Sequence, residues 1–135
     1  MWMKEKHGAL SGQMIKEMIK VGAIKNADEK NVRLSSLDLS ISDEIYKVQG
    51  IFQPYKGEKV RDILSLMKKS EHELSDPLKK GETYIAKLNE KLSLPKSVYG
   101  FCNPKSTTGR LDVHVRLSAD GVPRYDSVTP TGWSG

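Results

Sequence analysis

The chain has 135 residues, a net charge of +5, 37% hydrophobic residues and 29% charged residues, which is ordinary for one globular domain, so we expect a single domain over residues 1–135. No apolar run approaches the roughly 20 residues that a membrane-spanning helix needs. The basic residues are scattered and are not interleaved with aromatic ones, so neither a membrane nor a nucleic acid is expected as a partner.

The cysteine content and the N-terminus indicate the cellular setting. Cys102 is the single cysteine, which excludes an internal disulfide framework and any zinc site built from two or more cysteines. The first residues lack the long apolar stretch of a secretory signal. A reducing, cytoplasmic location is therefore expected.

The first predicted element is a helix over Ser11–Val21. Ser11 is a suitable N-cap, because its hydroxyl can accept from a backbone N–H of the first turn. Apolar residues follow at helical spacing, at positions 10, 14, 15, 18 and 19. Gly22 is a suitable stop. We interpret Met14 and Met18 as core residues.

The middle of the chain mixes strand and helix patterns. Alternation of Leu37, Leu39 and Ile41 with polar residues predicts a half-buried strand within residues 32–42. The later elements are predicted as a strand (44–52), a turn (53–57), a helix with Val60, Ile63, Leu64 and Met67 on one face (58–69), and a surface loop (70–80).

From Gly81 onward the pattern predicts β structure. The segments are a strand (83–88), a turn (92–95), a short strand (97–102), a clear strand with alternating sequence LDVHVRL (111–117), and a Gly-rich turn (130–135). The sequence therefore predicts a mainly-β domain with one or two helices near the N-terminus, arranged as a sandwich, jelly roll or distorted barrel.

The segment Asn103–Arg110, with sequence NPKSTTGR, combines features of an anion site. Small residues allow backbone N–H groups to approach an anion closely, and three hydroxyls add donors. Lys105 and Arg110 bracket them with positive charge. The order differs from that of a Walker A loop. From composition alone, a polar hairpin turn with two solvated cations remains an equal alternative.

Three motifs in order resemble the dCTP deaminase / dUTPase superfamily. Residues 104–110 (PKSTTGR), followed by a strand pattern and a G-W-x-G turn, resemble its nucleotide-binding motif. Ser35–Leu39 (SSLDL) and Leu92–Pro95 (LSLP) resemble upstream motifs. The likeness spans about residues 8–135 and is greatest to long bacterial dCTP deaminases. It implies a dUTPase-like distorted jelly roll, or β-clip.

The resemblance also implies roles for residues of this segment. The nucleotide would be held by Lys105, Ser106, Thr107, Thr108, Gly109 and Arg110. Ser106 would help to hold the attacking water, and Arg110 would polarise the reacting centre. The family acts as a homotrimer in which this segment completes the neighbouring subunit's site. Mg²⁺ is expected only with the triphosphate, and no catalytic metal is expected.

Proton transfer in such an enzyme needs a carboxylate, because the H-x-E and P-C-x-x-C patterns of zinc-dependent base deaminases are missing from this sequence. In the family this carboxylate is a glutamate just after the G-W-x-G turn. The sequence stops at Gly135, so we expect a chain truncated inside that turn and a fold incomplete at its C-terminus. Asp112, Asp120 and Asp126 do not match the catalytic position and are interpreted as solvated acids.

Two further positions bear on the site. An aspartate common in the family just before the G-W turn is replaced by Thr129 or displaced to Asp126, which puts the sugar or base contact in doubt. His114 is interpreted as a surface or subunit-interface residue.

Three functions follow as alternatives. The first is a dCTP deaminase, which hydrolyses dCTP to dUTP and ammonia in pyrimidine deoxynucleotide synthesis. The second is a dUTP diphosphatase, in which a carboxylate after the phosphate-binding segment, such as that of Asp112, activates water. The third is a truncated, non-catalytic remnant that binds nucleotide or other subunits.

Overall fold

The computed structural model describes residues 7–125 and 128–135. Its elements, in chain order, are α1 (Gly12–Lys20), β1 (Ile24–Lys25), a 3-10 turn (Glu29–Asn31), β2 (Ile41–Val48), α2 (Val60–Leu66), β3 (Lys69–Glu71), β4 (Thr83–Leu88), β5 (Lys91–Leu92) and α3 (Ser106–Arg110).

The strands form two small sheets in the described parts of the chain. In the first, β1 pairs with β5 in antiparallel register, with Ile24 opposite Leu92. In the second, the order is β3-β2-β4, and β2 pairs with β3 in antiparallel register with Lys47 opposite Ser70. β4 has the predicted bounds.

Helix α1 confirms the first sequence prediction. The Ser11 hydroxyl accepts from the N–H of Met14 at 3.4 Å. At the other end Gly22 has a φ of +76°, and the next residue, Ala23, donates its N–H to the carbonyl of Met18 at 2.9 Å. This left-handed glycine cap ends the helix, as the sequence predicted.

Contacts divide the chain into two compact units. Unit 1 comprises the described residues up to Glu44, together with Ala86–Val98 and Thr131–Gly135. Unit 2 comprises Ile45–Ile85 and Tyr99–Pro130. The assignment of one domain to the whole chain stays a prediction.

The core of unit 1 lies beneath α1. Its buried members are Ile15, Met18, Ile24, Leu94 and Val98. Met18 is only 2% exposed, which confirms its predicted packing role. Trp133 packs against this cluster, and Ser134 bridges Ser93 after a turn in which Gly132 has a φ of +73°. The predicted C-terminal turn is therefore confirmed.

A strand through residues 32–42 is a wrong prediction. Val32 and Leu37 form an isolated antiparallel bridge, and the N–H of Arg33 donates to the carbonyl of Ser36 at 2.8 Å. The chain therefore turns back on itself inside the predicted strand. The guanidinium of Arg33 also donates to the Asp38 carboxylate at 2.8 and 2.9 Å, which bridges the two ends of this hairpin.

The predictions for residues 44–80 are right in kind but wrong in their bounds. β2 ends before Gly50, whose φ of +96° is incompatible with a regular ladder. α2 ends at Leu66, and Lys69–Glu71 forms β3 inside the predicted helix end and loop. The predicted apolar face of α2 is partly buried, at Val60, Ile63, Leu64 and Met67.

The strands predicted at residues 97–102 and 111–117 are wrong, because neither segment forms a ladder in the described residues. The first begins as a turn, with the N–H of Val98 donating to the carbonyl of Pro95 at 2.9 Å. In the second, Leu111 is 76% and Val115 41% exposed. The alternation of apolar and polar residues in this segment therefore does not correspond to burial of one face.

Candidate nucleotide-binding site

The predicted anion loop is mostly a short helix. Residues Ser106–Arg110 form α3, and Lys105 is its N-cap. The carbonyl of Lys105 accepts from the N–H groups of Thr108 and Gly109 at 3.0 and 3.3 Å. Pro104 has a fixed φ and no N–H, so it suits the approach to a helix better than its interior. The loop prediction is thus corrected to one helical turn that starts after the proline.

A hydrogen-bonded cap ends α3. The N–H of Val113 donates to the carbonyl of Thr108 at 3.2 Å, and the N–H of Asp112 donates to that of Gly109 at 3.0 Å. Asp112 has a φ of +59°, as the left-handed residue of such a cap requires. Aspartate tolerates this conformation better than most residues. The cap reverses the chain where the sequence predicted a strand to begin.

The helical turn gathers the predicted site residues on the surface. Lys105, Ser106, Thr107, Gly109 and Arg110 are exposed, and Thr108 is half-buried. Because residues four apart lie on one face of a helix, Ser106 and Arg110 are neighbours. A Cβ on Gly109 would meet no atom within 4 Å. The turn therefore offers hydroxyls and two cationic side chains to an approaching anion, with open space beside Gly109.

The acidic residues that follow this turn in the chain have structural roles where the structure describes them. The carboxylate of Asp120 accepts from the N–H of Val60 at 2.8 Å and so caps the start of α2. Asp112 belongs to the cap of α3, and Asp126 lies outside the described residues. His114 is exposed. Across residues 7–125 and 128–135, no three His, Cys, Asp or Glu side chains come together as metal ligands could.

Thr129 has a buried position that sequence reasoning missed. It is 3% exposed. Its hydroxyl accepts from the N–H of Gly100 at 2.8 Å, and its own N–H donates to the carbonyl of Gly100 at 2.9 Å. The family pattern drew attention to this position, but no local pattern points to a partner 29 residues away.

Glu90 is a second buried polar residue that the sequence did not single out. It is 8% exposed, and its carboxylate accepts from the hydroxyl of Ser40 at 2.8 Å and from the Ser40 N–H at 3.1 Å. Asn89 donates to the same hydroxyl at 3.1 Å. These bonds hold the end of the hairpin region that carries Ser35–Leu39 against the turn before β5.

Cys102 should be a slow nucleophile. Although the residue as a whole is exposed, burial around the thiol raises its pKa, and only the thiolate attacks alkylating agents. At pH 7.5 we expect iodoacetamide to modify Cys102 more slowly than it modifies free cysteine, with the rate still rising above pH 9. Mass spectrometry over a time course measures both rates. A Cys102 rate equal to or above that of free cysteine would contradict the desolvated thiol.

The fold and the site together define a mainly-β protein with an exposed, cationic and hydroxyl-rich turn suited to anions. A model of the family described as "2'-deoxycytidine 5'-triphosphate deaminase (DCD) N-terminal domain" matches residues 6–135. The chain therefore belongs to this family, and the resemblance inferred from its motifs is confirmed.

A solved structure agrees. The chain is similar to the crystal structure of 2'-deoxycytidine 5'-triphosphate deaminase from Agrobacterium tumefaciens, with 32% sequence identity and a TM-score of 0.87 over 95% of this chain. This likeness confirms the predicted mainly-β fold. The match covers 39% of that protein's chain. No curated protein matches. In the described parts of this chain, every helix is too short or too polar to cross a membrane.

Proposed function

We propose that this chain supplies the nucleotide-binding segment of a dCTP deaminase, which converts dCTP and water to dUTP and ammonia in the cytoplasm. The observation that carries the proposal is the position of the exposed turn Ser106–Arg110 inside the region matched by the deaminase family, residues 6–135. Lys105 and Arg110 contact the triphosphate, and Arg110 can grip a phosphate through two parallel N–H donors. Mg²⁺ arrives as part of the nucleotide substrate.

The chemistry divides between binding and proton transfer. Ser106 holds the water that attacks the amine-bearing carbon of cytosine, and Arg110, on the same helical face, polarises the reacting centre. As the water oxygen bonds to this carbon, a carboxylate takes one of the water protons and passes it to the ring nitrogen N3; the second water proton then goes to the amine, which leaves as ammonia as the carbonyl forms. We assign that carboxylate to the family's glutamate after the G-W-x-G turn, at a position beyond Gly135.

We extend the proposal to a homotrimer in which this segment of one subunit completes its neighbour's site. Large apolar side chains on both sides of α3 support it, because Tyr99 is 60%, Phe101 61% and Leu111 76% exposed. The three residues lie within 13 residues of the chain, and contiguous exposed apolar patches are typical of surfaces that contact another protein.

Product analysis tests the function. The chain is incubated with dCTP or dUTP in the presence of Mg²⁺, and the nucleotides are resolved by chromatography. The proposal predicts that dCTP binds in an Arg110-dependent manner, and that dUTP forms from it only where the assigned glutamate is also present. If dCTP persists and dUTP becomes dUMP, the proposal is wrong and the diphosphatase alternative holds. If neither changes but dCTP binds in an Arg110-dependent manner, the chain is a nucleotide-binding part without turnover.

A further inference from the structure

The segment that carries α3 is held at both ends by residues of unit 2. At its start, Gly100 is paired with Thr129 through backbone and side chain. At its end, the Asp120 carboxylate accepts from the N–H of Val60 at 2.8 Å, and the Gly121 N–H donates to the carbonyl of Glu58 at 2.9 Å. Between these anchors, residues 101–107 are all exposed, so packing contributes little to the position of the turn.

Thr129 forms the anchor nearer to the site. Gly100 lies six residues before Ser106, and the chain between them is exposed. Thr129 is buried and Gly100 is half-buried, so the bond from the Gly100 N–H to the Thr129 hydroxyl is partly shielded from water. A shielded donor that loses its acceptor carries a desolvation cost. The hydroxyl therefore fixes where this stretch of chain leaves the body of unit 2.

A hydroxyl suits this position better than a carboxylate. The Thr129 oxygen accepts from the Gly100 N–H at 2.8 Å and also lies 3.4 Å from the Gly100 carbonyl oxygen, to which it can donate. An ionised carboxylate can only accept, so it would be repelled by that carbonyl. The Thr129 hydroxyl therefore acts on the backbone at Gly100.

From this geometry we infer that Thr129 is a positioning residue for the phosphate-binding segment Asn103–Arg110. It acts through Gly100 and does not touch the nucleotide. The inference rests on the proposed function in that its ligand is the triphosphate, whereas the anchor itself is a property of the fold. Affinity for triphosphate should therefore depend on the Thr129 hydroxyl even though the side chain is buried away from the ligand.

Binding of inorganic triphosphate by calorimetry tests the inference. Thr129→Val keeps the shape of the side chain and removes the hydroxyl, and we expect about tenfold weaker binding. Thr129→Ser keeps the hydroxyl and should restore the affinity to within about twofold of the original chain. Thr131→Val removes a hydroxyl from an exposed threonine nearby and should leave binding unchanged.

Folding must be separated from positioning. If Thr129→Val keeps its thermal midpoint and binds triphosphate like the original chain, the inference is wrong. If it does not fold, Thr129→Ser and Thr129→Cys decide the matter, because only the serine retains a strong donor and acceptor. Serine binding no better than cysteine would overturn the inference.

Amide hydrogen exchange separates this inference from the proposed function. Thr129→Val should speed exchange of the Gly100 N–H and of amides up to Arg110, with little change in α1. If the original chain binds no triphosphate, the proposed function fails, yet faster exchange in the variant would still support the anchor. Unchanged exchange at Gly100 would overturn the anchor whatever the binding result.

Discussion

Arg110→Ala is expected to weaken binding of dCTP by about 10- to 100-fold. Hydrogen bonds to charged groups contribute about 1.5–3 kcal/mol each, and about 1.4 kcal/mol corresponds to a factor of ten in Kd. Arg110 is exposed at the end of α3 and shares a helical face with Ser106. Removal of its guanidinium should therefore abolish a direct phosphate contact. Calorimetry with dCTP and Mg²⁺ measures the change.

Arg116→Ala is the matched control. Arg116 is also exposed and six residues away in sequence, and its guanidinium donates to the carbonyl of Val115 at 2.8 Å. Each substitution removes one positive charge from a chain of net charge +5. The Arg116 variant should therefore lose only the small long-range attraction, which salt screens. Equal losses in the two variants would show that net charge, and no contact of Arg110, governs binding.

Arg110→Lys sharpens the same test. Lysine keeps the charge but lacks the planar fork that grips a phosphate through two parallel N–H donors. We expect its affinity to lie between those of the original chain and Arg110→Ala. A lysine variant as strong as the original chain would reduce the role of Arg110 to a point charge.

Local signals in the sequence predicted elements whose determinants are local. The bounds of α1 follow from the Ser11 cap and the Gly22 stop, both within one turn of the helix that they limit. β4 matches its prediction residue for residue, at Thr83–Leu88. In both cases, the pattern, the cap or turn, and the final structure lie within a dozen residues of one another.

The failed strand at residues 111–117 shows what alternation cannot establish. A strand exists only when a second segment pairs with it, and the alternating residues carry no information on whether such a segment is present. The cap formed by Asp112 also reverses the chain after α3. That cap depends on an aspartate with positive φ, whereas glycine is the usual signal for it.

The sequence predicted the residues of the candidate site but not the hydrogen bonds that hold their surroundings in place. Small hydroxyl residues between two cations were enough to single out residues 103–110, and the family motifs gave them a ligand. Five residues are too few for a helical period to appear, so the sequence pattern predicted a loop where α3 forms. The partners that hold the surroundings, such as Thr129 for Gly100 and Glu90 for Ser40, are 29 and 50 residues apart in the chain.

Gly12→Ala is expected to lower the free energy of unfolding by about 2–3 kcal/mol. A Cβ at this position would overlap the backbone carbonyl oxygen of Arg33. The Gly12 N–H also donates to the carbonyl of Leu34 at 2.6 Å, so α1 cannot move away without the loss of that bond. Forced insertion of a methyl group into such a contact typically costs about 1–3 kcal/mol. Urea unfolding followed by circular dichroism measures the loss.

Gly109→Ala is the matched control, because it makes the same change in another helix. A Cβ there meets nothing within 4 Å, and alanine is more favourable than glycine in a helix by about 1 kcal/mol, so stability should stay level or rise. A loss confined to Gly12→Ala would show that close backbone approach fixes the hairpin carrying Ser35–Leu39 on α1. An unchanged urea midpoint for Gly12→Ala would contradict this, because it would mean that the hairpin can shift to admit a methyl group. The position of the hairpin relative to α1 would then depend on other contacts of unit 1, such as the bonds between Glu90 and Ser40.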